Sequence, residues 1–147
     1  ETLIHSAAMG AVMMTSKTKF SPEETIEAYT FAIDILKRLF SDDNVGFYAH
    51  DLSHYYLSIA LQYAELNDHE NTLYNLEESC RYAIIEANLN DMDYTAPMVN
   101  RLKHKNQNTF KNYKGNRLKA LEDIKFDFVR SETAFKKIIS DLEKYAE

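Results

Sequence analysis

The sequence predicts an all-α fold, a stack of antiparallel helix pairs amounting to about six helices. Three observations predict it. Glycine and proline are scarce, 3 and 2 in 147 residues, too few for the turns a sandwich or barrel needs. Apolar residues recur at the three-and-four spacing of a helix face through most of the chain. The breaks between those periodic stretches are short, so successive helices must run antiparallel. The length suits one domain with a sizeable core.

The elements follow in order. Residues 2–15 are small and apolar and read as a first helix, 16–19 as a polar connection. Ser21-Pro22-Glu23-Glu24 is a helix start, with serine as N-cap, proline in the first turn and glutamate completing a capping box. From there Ile26, Tyr29, Ile33, Leu36 and Phe40 form one stripe, and Ala28, Ala32, Ile35 and Leu39 a second. A helix apolar on two faces belongs between neighbours. Ser41-Asp42-Asp43-Asn44 closes it, and a third helix is expected from about Gly46 to Leu66 on Leu52, Tyr56, Ile59 and Tyr63. Asn67-Asp68 is a tight turn. A fourth helix, about Glu70 to Leu89, then carries Leu73, Leu76, Cys80, Ala83 and Ala87. Beyond Asn90 the character changes. Pro97 is expected to start a brief helix over 98–102, residues 103–115 read as a long polar loop, and 116–123 as a short helix. Ser131 is expected to begin a last helix on Phe135, Ile138, Ile139, Leu142 and Tyr145. The chain thus divides into a first pair (1–45), a second pair (46–90) and an irregular segment with C-terminal helices (91–147).

The net charge of −6 argues against a dedicated nucleic-acid surface. The distribution is uneven: residues 1–97 hold 16 acids and 5 bases, whereas 98–121 hold seven bases and no acid. With Phe110 and Tyr113 interleaved, this segment could touch nucleic acid. A loop docked against the acidic part of the same domain is the preferred reading. Cys80 is the single cysteine, no glycosylation sequon occurs, and no apolar run approaches a membrane span. A cytoplasmic protein is expected.

Repeat units at fixed spacing decide more than any single element. Anchored on the Asn67-Asp68 turn, Ala60 and Tyr63 fall at the small and aromatic positions of a tetratricopeptide unit's first helix. Thr72, Leu76 and Ser79 fall at the small, large and small positions of its second. Small side chains are needed there because two helices approach closely only where little stands between them. Gly10, Met13, Thr25, Tyr29 and Ala32 outline a degenerate earlier copy. The motif's usual tryptophan, glycine and terminating proline are missing.

A resemblance then emerges from Leu57-x-Ile59-Ala60-x-x-Tyr63, from 94–102 (Tyr94-Thr95-Ala96-Pro97-Met98-Val99-Asn100-Arg101-Leu102), from Asn112-Tyr113-x-Gly115-Asn116, and from Phe126-Asp127-Phe128-Val129-Arg130-Ser131-x-x-x-Phe135. In this order and spacing they are similar to the C-terminal tetratricopeptide-like domain of bacterial Cro/repressor-type (XRE-family) helix-turn-helix transcription regulators. The likeness covers roughly residues 50–147. It implies a regulatory domain whose DNA-binding part lies upstream, the chain being a fragment, and DNA contact only through that part.

Catalytic signatures are lacking: there is no nucleophile elbow and no phosphate-cradling glycine loop, so no enzyme, cofactor or catalytic residue is expected. His50, Asp51 and His54 could begin a metal-dependent hydrolase site, but a third ligand at useful spacing is not visible, and no metal is expected. Among the tyrosines, Tyr56 and Tyr63 read as core and Tyr55 is left open. The solenoid reading makes the first helices of each pair line a concave groove for a peptide or protein partner. Ile4, Ala7, Ala11, Met14, His54, Leu57, Leu61 and Glu65 are the positions expected to line it. A homodimer is expected, and a ligand-free dimerisation scaffold is the alternative.

Overall fold

The computed structural model describes residues 6–10, 12–13, 19–89, 91–101, 103–104 and 113–144. These form six helices: α1 (described at residues 6–10 and 12–13), α2 (Pro22–Leu39), α3 (Ala49–Glu65), α4 (His69–Ala87), α5 (Tyr113–Ala120) and α6 (Thr133–Lys144). Short 3-10 turns at Gly46–Tyr48 and Ile124–Phe126 complete the helical content. The expected all-α architecture is present.

Local chemistry explains the boundaries. The Ser21 hydroxyl accepts from the Glu24 N–H at 3.2 Å, and the Glu24 carboxylate accepts from the Ser21 N–H at 2.8 Å. Two of the helix's orphan donors are thereby satisfied. The α2–α3 connection turns through Asp43 and Gly46, both at positive φ. Glycine is required at 46 for a second reason: a Cβ there would lie 2.6 Å from the Tyr94 hydroxyl. Asn67, also at positive φ, ends α3, and the Asp68 carboxylate caps α4 by accepting from the Asn71 N–H at 3.0 Å.

Two apolar clusters form the core, and α3 contributes to both. One gathers Leu36 of α2 and Phe40 just beyond it with Leu52, Tyr55, Tyr56 and Ile59 of α3, plus Tyr82, Tyr94, Ala96 and Val99. The other sets Leu57, Ala60 and Ala64 of α3 and Leu76, Cys80 and Ala83 of α4 against Leu121, Phe126, Val129, Phe135, Ile138 and Leu142. Each fully buried leucine or phenylalanine contributes about 1.5–3 kcal/mol. Tyr55, left open by the sequence, is core at 1% exposure.

Ala60, Thr72 and Ser79, the small positions of the repeat pattern, are all fully buried. Between α3 and α4, Ser53 Oγ donates to the Ser79 carbonyl at 2.8 Å and Ser79 Oγ donates to the Ser53 carbonyl at 2.7 Å. Such a reciprocal pair forms only between closely apposed backbones.

The region after Asn90 departs from expectation. Residues 97–101 form a turn, not a helix, because five residues cannot repay helix nucleation. The segment is held instead by buried Tyr94, Ala96 and Val99 and by Asn44, whose amide donates to Thr95 Oγ1 at 2.9 Å. Part of the expected loop pairs as a strand, Met92–Asp93 antiparallel to Lys103–His104. α5 begins earlier than expected, at Tyr113, and α6 later, at Thr133. Between them Arg130 donates to the carbonyls of Leu121, Glu122 and Asp123 at 3.1–3.3 Å, capping the chain that leaves α5.

Candidate functional site

The solvent-facing stripe of α3 comprises His50, His54, Ser58, Leu61 and Glu65. Their spacing of three and four places them on one side of the helix. His50, His54 and Glu65 are exposed, Ser58 and Leu61 half-buried. Most of the rest of α3 is taken by the two clusters, with Asp51 and Gln62 half-buried beside the stripe.

Neighbours rise on both sides of it. On one, α1 reaches α3 where the Tyr55 hydroxyl meets Met9 Sδ at 3.4 Å, and Tyr55 also packs 5.7 Å from the Tyr29 ring of α2. On the other, Arg117 of α5 donates through Nη2 to Ser53 Oγ at 2.8 Å, and Lys125 of the second 3-10 turn pairs with Glu65. The stripe thus runs between two flanking elements, α1 and the C-terminal unit, as the floor of the interval between them.

The predicted lining residues distribute unevenly over this geometry. His54, Leu61 and Glu65 lie on the floor, and Leu61 also packs against the second cluster. Leu57, one position around the helix, is buried in that cluster at 9% exposure. Ala7 is exposed on α1. Ile4, Ala11 and Met14 lie outside the described residues. Met13 of α1, 49% exposed, is a further apolar surface on the α1 side.

The electrostatics centre on Arg117. Burial lowers its pKa, with Cys80 and Glu86 acting in the opposite direction. Its Nε is sealed from solvent with no hydrogen-bond partner. Two histidines respond oppositely to this neighbourhood. His50 Nδ1 lies 3.2 Å from the Glu86 carboxylate, and that hydrogen bond raises its pKa despite partial burial. For His54, partial burial and the charges of Arg117 and His50 lower it. Arg117 was legible only as one member of the basic segment; its insertion against α3 had no sequence signal, since nothing local distinguishes it from Lys114 or Lys119.

Among the described residues no group of three or more histidine, cysteine or acidic side chains is placed to hold a metal. Burial pushes the Cys80 thiol up to about 12, leaving it protonated. A separate depression of about 420 Å³ between α4 and α6 has Ile84, Ile85 and Ile138 in its lining. Four of its lining charges pair with one another, Lys137 with Glu77 at 3.5 Å and Lys144 with Asp141 at 3.2 Å. Among the described residues no helix is long and apolar enough to cross a membrane. No family model, curated protein or solved structure matches the chain.

Proposed function

We propose that this chain is a regulatory interaction domain with a tetratricopeptide-like arrangement of helix pairs, binding a peptide or protein segment in the trough along α3. The observation that carries the reading is the position of α3. It is buried on the faces toward α2, α4 and the C-terminal unit, yet presents a continuous stripe of His50, His54, Ser58, Leu61 and Glu65 between flanking elements. Such a floor offers apolar contact at Leu61 and hydrogen-bonding groups at His54 and Ser58, the mixture that peptide grooves use. The complete burial of Ala60, Thr72 and Ser79 supports the repeat assignment, because close helix approach is what those positions require.

The resemblance to the regulatory domains of helix-turn-helix transcription regulators supplies the biological setting: a partner bound here would bias the packing of a DNA-binding part joined to it, in the cytoplasm and within a dimer. A displayed library of random peptides selected on the intact chain tests the reading. Enriched peptides that lose binding on His54→Glu and on Leu61→Asp are the expected result. Enrichment indifferent to both substitutions, or a dimer that selects nothing, overturns it in favour of another surface or a ligand-free scaffold.

A further inference from the structure

We propose that the end of the trough at Arg117 is an oxyanion subsite, which recognises a carboxylate of the bound peptide. The assignment to a peptide rests on the functional reading above; the subsite itself does not.

Arginine is a costly side chain to withdraw from water. A guanidinium carries five donors and a permanent charge, and removing it from water is unfavourable unless acceptors or a counter-charge replace the lost hydration. Arg117 is largely withdrawn from solvent, yet it donates to a neutral hydroxyl, Ser53 Oγ at 2.8 Å. Its Nε has no partner. Ser53 cannot move to serve it better, because its hydroxyl already donates to the Ser79 carbonyl and its own carbonyl accepts from Ser79 Oγ. The nearby acid, Glu86, is 3.2 Å from His50 Nδ1 instead. Glu86 favours the arginine's charge from a distance, but among the described residues no carboxylate is hydrogen-bonded to the guanidinium.

Position adds to charge. His50, Ser53 and His54 occupy successive places on one side of α3, so the hydrogen bond to Ser53 brings the guanidinium alongside both imidazoles. Arg117 remains partly exposed and the two histidines are open to solvent on one side, which leaves a route for an anion from the trough. Planar, two-pronged donors suit carboxylate geometry, and hydrogen bonds between charged groups are about twice as strong as neutral ones. The asymmetry of the chain's charge has a local meaning in this light: a basic segment delivers one cation to a site where the acidic part of the domain offers no free partner.

The test is an NMR titration of the intact chain with sodium acetate and with sodium phosphate, each against sodium chloride at matched ionic strength. Saturable shifts of the Arg117 side-chain resonance and the His54 ring with acetate are expected, at an affinity on the order of millimolar, with His54 titrating at higher pH once the anion is bound. Arg117→Lys should weaken acetate by about tenfold and Arg117→Gln should abolish its effect. Acetate behaving like chloride overturns the proposal, as does a response that survives in folded Arg117→Gln. Binding of phosphate without acetate overturns the carboxylate assignment. Should Arg117→Gln fail to fold, the chloride comparison on the unaltered chain decides alone. Acetate binding combined with an empty peptide selection would leave the subsite standing and defeat the peptide reading.

Discussion

The pair α3–α4 and the C-terminal unit of α5, the second 3-10 turn and α6 meet in the same apolar cluster, but they are built differently. In the pair, two helices of 17 and 19 residues pack along their length, and the fit depends on what is missing: large side chains at Ala60, Thr72 and Ser79. In the unit, helices of 8 and 12 residues are too short to be stable alone. They depend on what is present: large anchors at Leu121, Phe126, Val129 and Phe135, and an arginine that satisfies the carbonyls between them. A long helix pair is specified by shape, a short irregular unit by a few anchoring groups.

That contrast breaks most visibly at Phe126. It is fully buried, and Phe126→Ala should cost about 3–5 kcal/mol in urea unfolding; a loss below about 1 kcal/mol would mean the unit is not anchored there. Ala60→Leu attacks the pair by the opposite route, adding volume. About 1–3 kcal/mol is expected, from overpacking at a position with no free space, and a neutral result would show that α3 and α4 are not closely apposed. Arg130→Ala leaves three carbonyls without their donor and removes a contact with the Phe135 ring at 5.5 Å. Because the residue is partly exposed, about 1–2 kcal/mol is the expected loss in thermal or urea denaturation, with Arg130→Lys recovering only part of it.

The smallest effect concerns pH. Glu86 raises the pKa of His50, so the pair's stabilisation is fully present below the ordinary histidine value and is lost as pH rises through the raised one. His54, lowered, acts in the opposite sense, its protonation disfavouring the folded state as pH falls. Glu86→Gln should therefore destabilise the protein more at pH 5.5 than at pH 8, by less than about 1 kcal/mol because His50 is half-exposed. An equal loss at both pH values would show that the hydrogen bond is not charge-assisted.

The same contrast explains what the sequence could reveal. Helices α2, α3 and α4 were legible almost to their ends because capping residues and long periodic stripes act locally: Ser21 with Glu24, Asp68 after Asn67, and Leu52, Tyr56 and Ile59 in register. Tyr55 was ambiguous because a tyrosine at the edge of a stripe serves core or groove equally well, and its burial depends on α1 and α2 arriving beside it. Beyond Asn90 legibility falls. Residues 97–101 carry a helix-start proline, but long-range packing of Tyr94 and Val99 outweighs so short a propensity. The candidate site was half visible. His54, Leu61 and Glu65 follow from the repeat alignment, whereas Leu57 is covered by a unit whose docking no local pattern announces, and Arg117 meets α3 only by reaching a serine 64 residues away.

On the proposed reading, the α3 stripe is where a partner peptide binds. Backbone amide shifts of the isotopically labelled chain, followed while a display-selected peptide is added, test it most directly. Perturbations running along His54, Ser58 and Leu61 and reaching Met13 are predicted, with exposed Phe31 of α2 and Tyr74 of α4 silent. A response centred on Phe31 and Tyr74, with the α3 stripe unmoved, would contradict it.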